Sequence, residues 1–291
     1  MRFTGSTRPP FGSAAYLLSV LLVVDAIVAT IASLGWPDLI HGPAVSVGSL
    51  RGTALVVLVV ALPVLVASMV AARRGAGLAV VGWLGALGYV TYQGILFLFG
   101  SPFNGLFLFY VGMLSFGLWA VIALVPRVDV AAFAAKFDGR TPVRAIGGFL
   151  VVLAGAFYLL WLRAIVPALF DSEQPAFLVG TGMITGAGQV IDLSFALPIT
   201  VLAAVTIWQR RTWGYLLAGV MLVMLGIESI SIGVDQWFGA MADPDSPVVS
   251  AAFLPAFLVI AAIDFALFGL YARAAQPEST TRDVRVPRAA R

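Results

Sequence analysis

Five ionisable residues stand inside otherwise apolar stretches of this chain: Asp25, Arg163, Asp192, Glu228 and Asp264. An ionised side chain at the centre of a bilayer costs about 2.5–3.5 kcal/mol on insertion scales, so such groups are kept where they bind, relay protons or pair with one another. Four of the five are carboxylates, which suit protons, cations and hydrogen-bond donors. Polar neighbours accompany them at helical spacing. Gln189 lies three residues before Asp192, and Ser231 and Asp235 continue the Glu228 stripe. In "GYVTYQG", Tyr89, Tyr92 and Gln93 share one face, and Asn104 opens the following helix. Arg163, Asp192 and Glu228 fall at comparable depth in the outer leaflet, whereas Asp25 and Asp264 fall nearer the midplane. The sharper reading is a polar cavity open to the outside, with Arg163 balancing Asp192 or Glu228 and with Asp25 and Asp264 as candidates for a proton relay. The plainer reading is groups that snorkel to water, one structural ion pair, and satisfied interhelical hydrogen bonds.

Other chemistries lack their residues. There is no cysteine and one histidine; the latter, His41, lies in a loop. Thiolate nucleophiles, disulfides and a membrane metalloprotease site are therefore excluded, and neither a metal nor a cofactor is expected. No Gly-x-Ser-x-Gly elbow occurs. The one lysine, Lys136, lies in a polar loop, so no span offers a Schiff base. The stretch "GTGMITGAGQ", 180–189, lacks the lysine and spacing of a phosphate-binding loop and reads as a flexible outer loop. Its Gly182 and Gly186 make a small-xxx-small pair of the kind that packs helices.

The elements that position these groups are helices in lipid. Hydrophobic residues make up 61% of the 291 and charged ones 11%, against about 25% charged in soluble domains. A span needs about 20 apolar residues. Eight such spans are read, at 14–34, 52–72, 77–99, 103–125, 146–169, 188–208, 213–234 and 250–272. The fold class is therefore all-α, a polytopic membrane protein. Fifteen of the seventeen basic residues fall in one set of alternate segments, and the opposite set holds only Arg51 among several acids. By the positive-inside rule both termini are cytoplasmic. The same distribution explains the formal net charge of +3 without nucleic acid as a partner. The Arg- and Ala-rich composition suggests a bacterial protein of the cytoplasmic membrane. Residues 1–13 form a cytoplasmic N-terminus, 127–145 a cytoplasmic connector with a short interfacial helix, and 273–291 a disordered basic tail.

The chain also repeats itself. "ALPVLVASMVAARRGAG", 61–77, and "ALPITVLAAVTIWQRRTWG", 196–214, each run from a Leu-Pro through an apolar stretch to two arginines and a glycine. Ser101-Pro102 and Ser246-Pro247 follow, then "SFGLWA" at 115–120 and "DFALFG" at 264–269. Ordered landmarks point to two four-helix units, 14–126 and 146–272. Four is an even number, so the repeat is parallel, about an axis along the membrane normal. Asp264 then aligns with Ser115, Asp192 with about Val57 and Glu228 with about Thr91. "VIDLSFALP", 190–198, followed by "RRTWGYLLAG", resembles the second half of an uncharacterised group of bacterial multi-pass membrane proteins. In that group an Asp-Leu, a later Pro and a short basic turn recur; the resemblance implies architecture and points to Asp192.

These residues suggest a small-molecule transporter or permease that takes a small molecule or protons from an outward cavity. The alternatives are a non-transporting sensor or assembly subunit, and a lipid-acting enzyme that relies on carboxylates. The absence of native cysteine makes topology directly testable. Impermeant maleimide applied outside sealed cells should label Ser172→Cys and Ser246→Cys but not Ser279→Cys; external labelling of the last would overturn the eight-span arrangement.

Overall fold

The computed structural model describes residues 14–137 and 139–275; the expectations for 1–13 and for the tail beyond 275 fall outside them. Among the described residues eight helices are long and apolar enough to cross a membrane, which fits an integral membrane protein. In chain order they are α1 (Ala14–Gly35), α2 (Ala44–Arg73), α3 (Ala79–Phe99), α4 (Phe107–Leu124), α6 (Val143–Ala168), α7 (Ala187–Trp208), α8 (Thr212–Ala242) and α9 (Phe253–Ala274). A short helix, α5 (Val130–Ala134), lies between α4 and α6. The connections at 74–78, 125–142 and 209–211 form a basic end of the bundle. Those at 36–43, 100–106, 169–186 and 243–252 form an acidic end.

The helices agree with the expected spans within a few residues at most ends, with two exceptions. α2 starts at Ala44, eight residues before the expected 52, and α8 ends at Ala242, eight residues after the expected 234. Arg51 and Asp235 fall just outside the expected spans. In the structure the two extensions lie against each other. A Cβ at Gly48 would come within 2.7 Å of the Phe238 carbonyl oxygen, and one at Gly52 within 2.8 Å of the Asp235 Cα. Two glycines one turn apart thus let the backbones meet, as small residues do between membrane helices. This pair, and not Gly182 with Gly186, makes the close contact; Gly182 sits in a loop at φ +70°. Arg51 Nε donates to the Ser33 carbonyl in the last turn of α1 at 3.2 Å.

α8 is the central helix, packed against α2, α3, α7, α9 and α5. α3 lies beside it, with Gly85 against Val223 and the Val220 carbonyl. In the most apolar window of α3, 67% of residues are buried, against 17% in α6 and 11% in α9, so the last two are the exposed periphery of the bundle. Trp83, Tyr89, Met113, Ile146 and Leu216 are among the fully buried side chains of the core. The two halves close differently. α1 packs along α4, whereas α6 packs on α7 and meets α9 at the Phe157–Phe257 ring pair, 6.4 Å apart.

The two spans that carry a Leu-Pro at mid-helix each contain a π-helical turn, Val57–Ala61 in α2 and Asp192–Ala196 in α7. The Leu62 N–H donates to the Val57 carbonyl and the Leu197 N–H to the Asp192 carbonyl, five residues back in each case. The cause is the next residue. Pro63 and Pro198 lack an N–H, and their rings would clash with the carbonyl four residues earlier. Widening the turn relieves the clash and keeps most of the backbone bonded.

The expected short helix in the connector is α5. Asp129 caps it, accepting from the Ala132 N–H at 2.9 Å. It packs on the bundle. Phe133 is buried, and Phe137 stacks on Tyr215 with centroids 5.0 Å apart and lies tilted against Tyr271 at 4.6 Å.

The glycine contact yields a stability prediction. Gly52→Leu should force α2 off α8 and lower stability by about 1–3 kcal/mol, the usual cost of overpacking. Gly148→Leu and Gly155→Leu, where nothing lies within 4 Å, should melt as the wild type does. Equal melting temperatures for all three in detergent would refute the close α2–α8 approach.

Candidate functional site

The facing stripes of α3 and α8 build the site. Tyr89 Oη donates to Ser231 Oγ at 2.9 Å, and Gln93 Nε2 donates to Glu228 Oε2 at 2.6 Å. One residue along α3, Tyr92 Oη donates to Asp192 Oδ1 at 2.9 Å, and Trp161 Nε1 reaches the other oxygen, Oδ2, at 2.8 Å. Asp192 opens the π turn of α7. Glu228 lies nearer the middle of its helix than expected, because α8 continues to Ala242.

Above this layer is a cavity of about 250 Å³ at the acidic end. α2 contributes Ser49 and Thr53, α3 contributes Gln93, α7 contributes Gln189, and α8 contributes Asp235 and Gln236. The α2–α8 contact positions Asp235: Ser49 Oγ donates to its backbone carbonyl at 3.2 Å. Its side chain accepts from Gln236 Nε2 at 3.3 Å, while Gln236 Oε1 accepts the Ser250 N–H at 3.1 Å. The loop 177–186 forms part of the rim, tied to α2 by Ser46 Oγ donating to the Thr181 carbonyl at 2.7 Å.

The structure thus brings together Tyr92 with Asp192, Gln93 with Glu228, and Gln93 with Gln189 around the cavity. It does not bring Arg163 to them. Arg163 is exposed on α6 and has no ion pair or hydrogen bond among the described residues. At about 100° per residue, Arg163 is turned about 200° from Trp161, which takes the place by Asp192. The expected balance of Arg163 against Asp192 or Glu228 is therefore corrected. Asn104 is also apart: its Oδ1 accepts the Leu106 N–H at 2.9 Å and its Nδ2 donates to the Pro102 carbonyl at 2.8 Å, which shapes the start of α4. Asp25 is half-buried against Gly112 of α4, and its Oδ2 lacks a partner. Asp264 is fully buried beside Gly226 of α8, with neither oxygen bonded. Neither of these two lines the cavity.

Sequence reasoning missed Asp235 as a site residue, although its spacing from Glu228 and Ser231 was visible. It also missed Trp161, Ser49 and Thr53, for which no local signal exists. Among the described residues no group of three or more His, Cys, Asp or Glu is placed to hold a metal ion. Against protein-family models, curated proteins and solved structures, the chain finds no match.

Two substitutions separate the corrected geometry from the expected one. Arg163→Leu should leave the melting temperature unchanged. Tyr92→Phe should lower stability by about 1–3 kcal/mol by leaving a buried acceptor of Asp192 unsatisfied. A drop for Arg163→Leu that Asp192→Asn or Glu228→Gln reverses would restore the ion pair.

Proposed function

We propose that this chain is a small-solute transporter of the bacterial cytoplasmic membrane, with its basic end in the cytoplasm and its cavity open to the outside. One observation carries the reading: a cavity at the acidic end, floored by Gln93 and Asp235 with Glu228 directly behind. Polar groups at this depth are costly unless they meet water or a ligand. The basic loops at the opposite end support the orientation.

A duplicated, parallel four-helix unit is part of the proposal. The two π turns support it, since each ends immediately before a Leu-Pro. Aligning Pro63 with Pro198 is a shift of 135 residues (198 − 63), which pairs Val57 with Asp192 and Gln93 with Glu228. Gln93 and Glu228 are hydrogen-bonded to each other, as equivalent residues beside a two-fold axis between α3 and α8 would be. In this arrangement the two spans with π turns, α2 and α7, flank the cavity and carry the sites where a unit can flex.

A sensor would hold its ligand in the same cavity but would never open it to the other side. Thr53→Cys, on the cavity wall, separates the two. In a transporter an impermeant maleimide should label it in right-side-out vesicles and, more slowly, in inside-out vesicles. Labelling confined to the acidic face would remove the transport reading and leave a receptor.

A further inference from the structure

The walls of the cavity determine the hydrogen-bonding character of what fits it. A hydroxyl has one hydrogen to give, and those lining this cavity are largely committed to backbone. Ser46 Oγ donates to the Thr181 carbonyl at 2.7 Å, Ser49 Oγ to the Asp235 carbonyl at 3.2 Å and Ser101 Oγ to the Phe97 carbonyl at 2.6 Å. Each therefore offers the cavity lone pairs. Gln93 is 1% exposed. Its Nε2 donates to Glu228 Oε2 at 2.6 Å, and Oε1 is left buried with no partner. The Asp235 carboxylate has one long contact, 3.3 Å, from Gln236. No lysine, arginine or histidine is among the lining residues.

Acceptors are thus in excess, and no basic side chain lines the cavity to balance a carboxylate. An anion would meet this carboxylate without a counter-charge, a cost that few compensating contacts offset. A bare metal ion finds no cluster of ligands among the described residues. The volume, about 250 Å³, is slightly under the common ligand-pocket range of about 300–1,000 Å³, so the occupant is small. We propose that the cavity binds a small organic cation, a primary ammonium or guanidinium, with Asp235 as counter-charge and Gln93 Oε1 as second acceptor. The Thr53 hydroxyl and the Gln189 amide remain as donors for a polar group at the ligand's other end. The proposal rests on the cavity being the ligand site but not on transport; a receptor would need the same chemistry.

The test is equilibrium binding to the purified protein in nanodiscs, by calorimetry and thermal melts at constant ionic strength. Putrescine and agmatine are the probes, with succinate and glucose as controls. Both amines should bind saturably and raise the melting temperature, and the controls should not. Asp235→Asn, which keeps the shape and removes the charge, should weaken amine binding by roughly tenfold or more. Val248→Trp, which puts a large side chain on the cavity lining from another segment and leaves Asp235 in place, should block binding as well and covers the case in which the first variant misfolds. Binding of succinate or glucose in place of the amines, no binding of either amine, or amine binding that survives both variants would each overturn the proposal. One-sided labelling at Thr53 with amine binding intact would remove transport and keep this site.

Discussion

Lipid tails are as apolar as leucine, so a membrane helix gains little by hiding its apolar side chains against another. What holds two such helices together is close backbone approach, and here that approach is α2 on α8 through Gly48 and Gly52. The site at the acidic end follows from it. The contact sets Ser49 and Thr53 beside Asp235, so one wall of the cavity and its carboxylate come from two helices far apart in sequence. It also gives each extension a partner beyond the apolar segments, which is why neither ends at its charged residue. Replace the glycines with larger residues and Asp235 loses the neighbour that positions its backbone.

α8 can serve as the central helix because it carries small residues on several sides. Gly219 admits Tyr271, Gly226 lies against Phe265 and Asp264, and Gly233 meets Leu254 and Phe257, all from α9. Gly239 meets Ser49 and Val249. The long aromatic side chains of the partners fill what the glycines leave open, and Tyr271 adds a hydrogen bond to the Tyr215 carbonyl at 2.8 Å. The peripheral helices need no such accommodation, since α6 and α9 turn most of their surface outward.

The eight helices were legible in the sequence because apolar run length is what a bilayer selects. The pairing of an α3 stripe with carboxylates of α7 and α8 was legible in part, since Tyr89, Tyr92 and Gln93 on one side and Asp192, Glu228 and Ser231 on the other shared faces and depth. Azimuth was not. Depth in a span does not say which way a side chain turns, and so Arg163 was assigned a place that Trp161 occupies. Asp235 was discounted because a charge at the end of an apolar run reads as the start of a loop; only the distant Gly48 and Gly52 reveal that the helix continues. The prolines signalled bends, but a proline does not say whether the chain will kink or widen a turn.

The π turn of α7 is also a slip of phase. A buried stripe begun by Ala187 and Ile191 and continued at α-helical spacing would pass through Ser194 or Phe195, then Pro198, Leu202 and Val205, and all of these are exposed. The stripe resumes instead at Ala196, Thr200, Ala203 and Ile207. One helix thereby presents Gln189 to the cavity at one end and packs against different neighbours at the other, without a break in the chain. The length of the segment from Asp192 to Ala196 consequently works as an angular setting. One residue more or fewer there would rotate the two halves of the helix by about 100° relative to each other, and no adjustment in the flanking loops could turn them back.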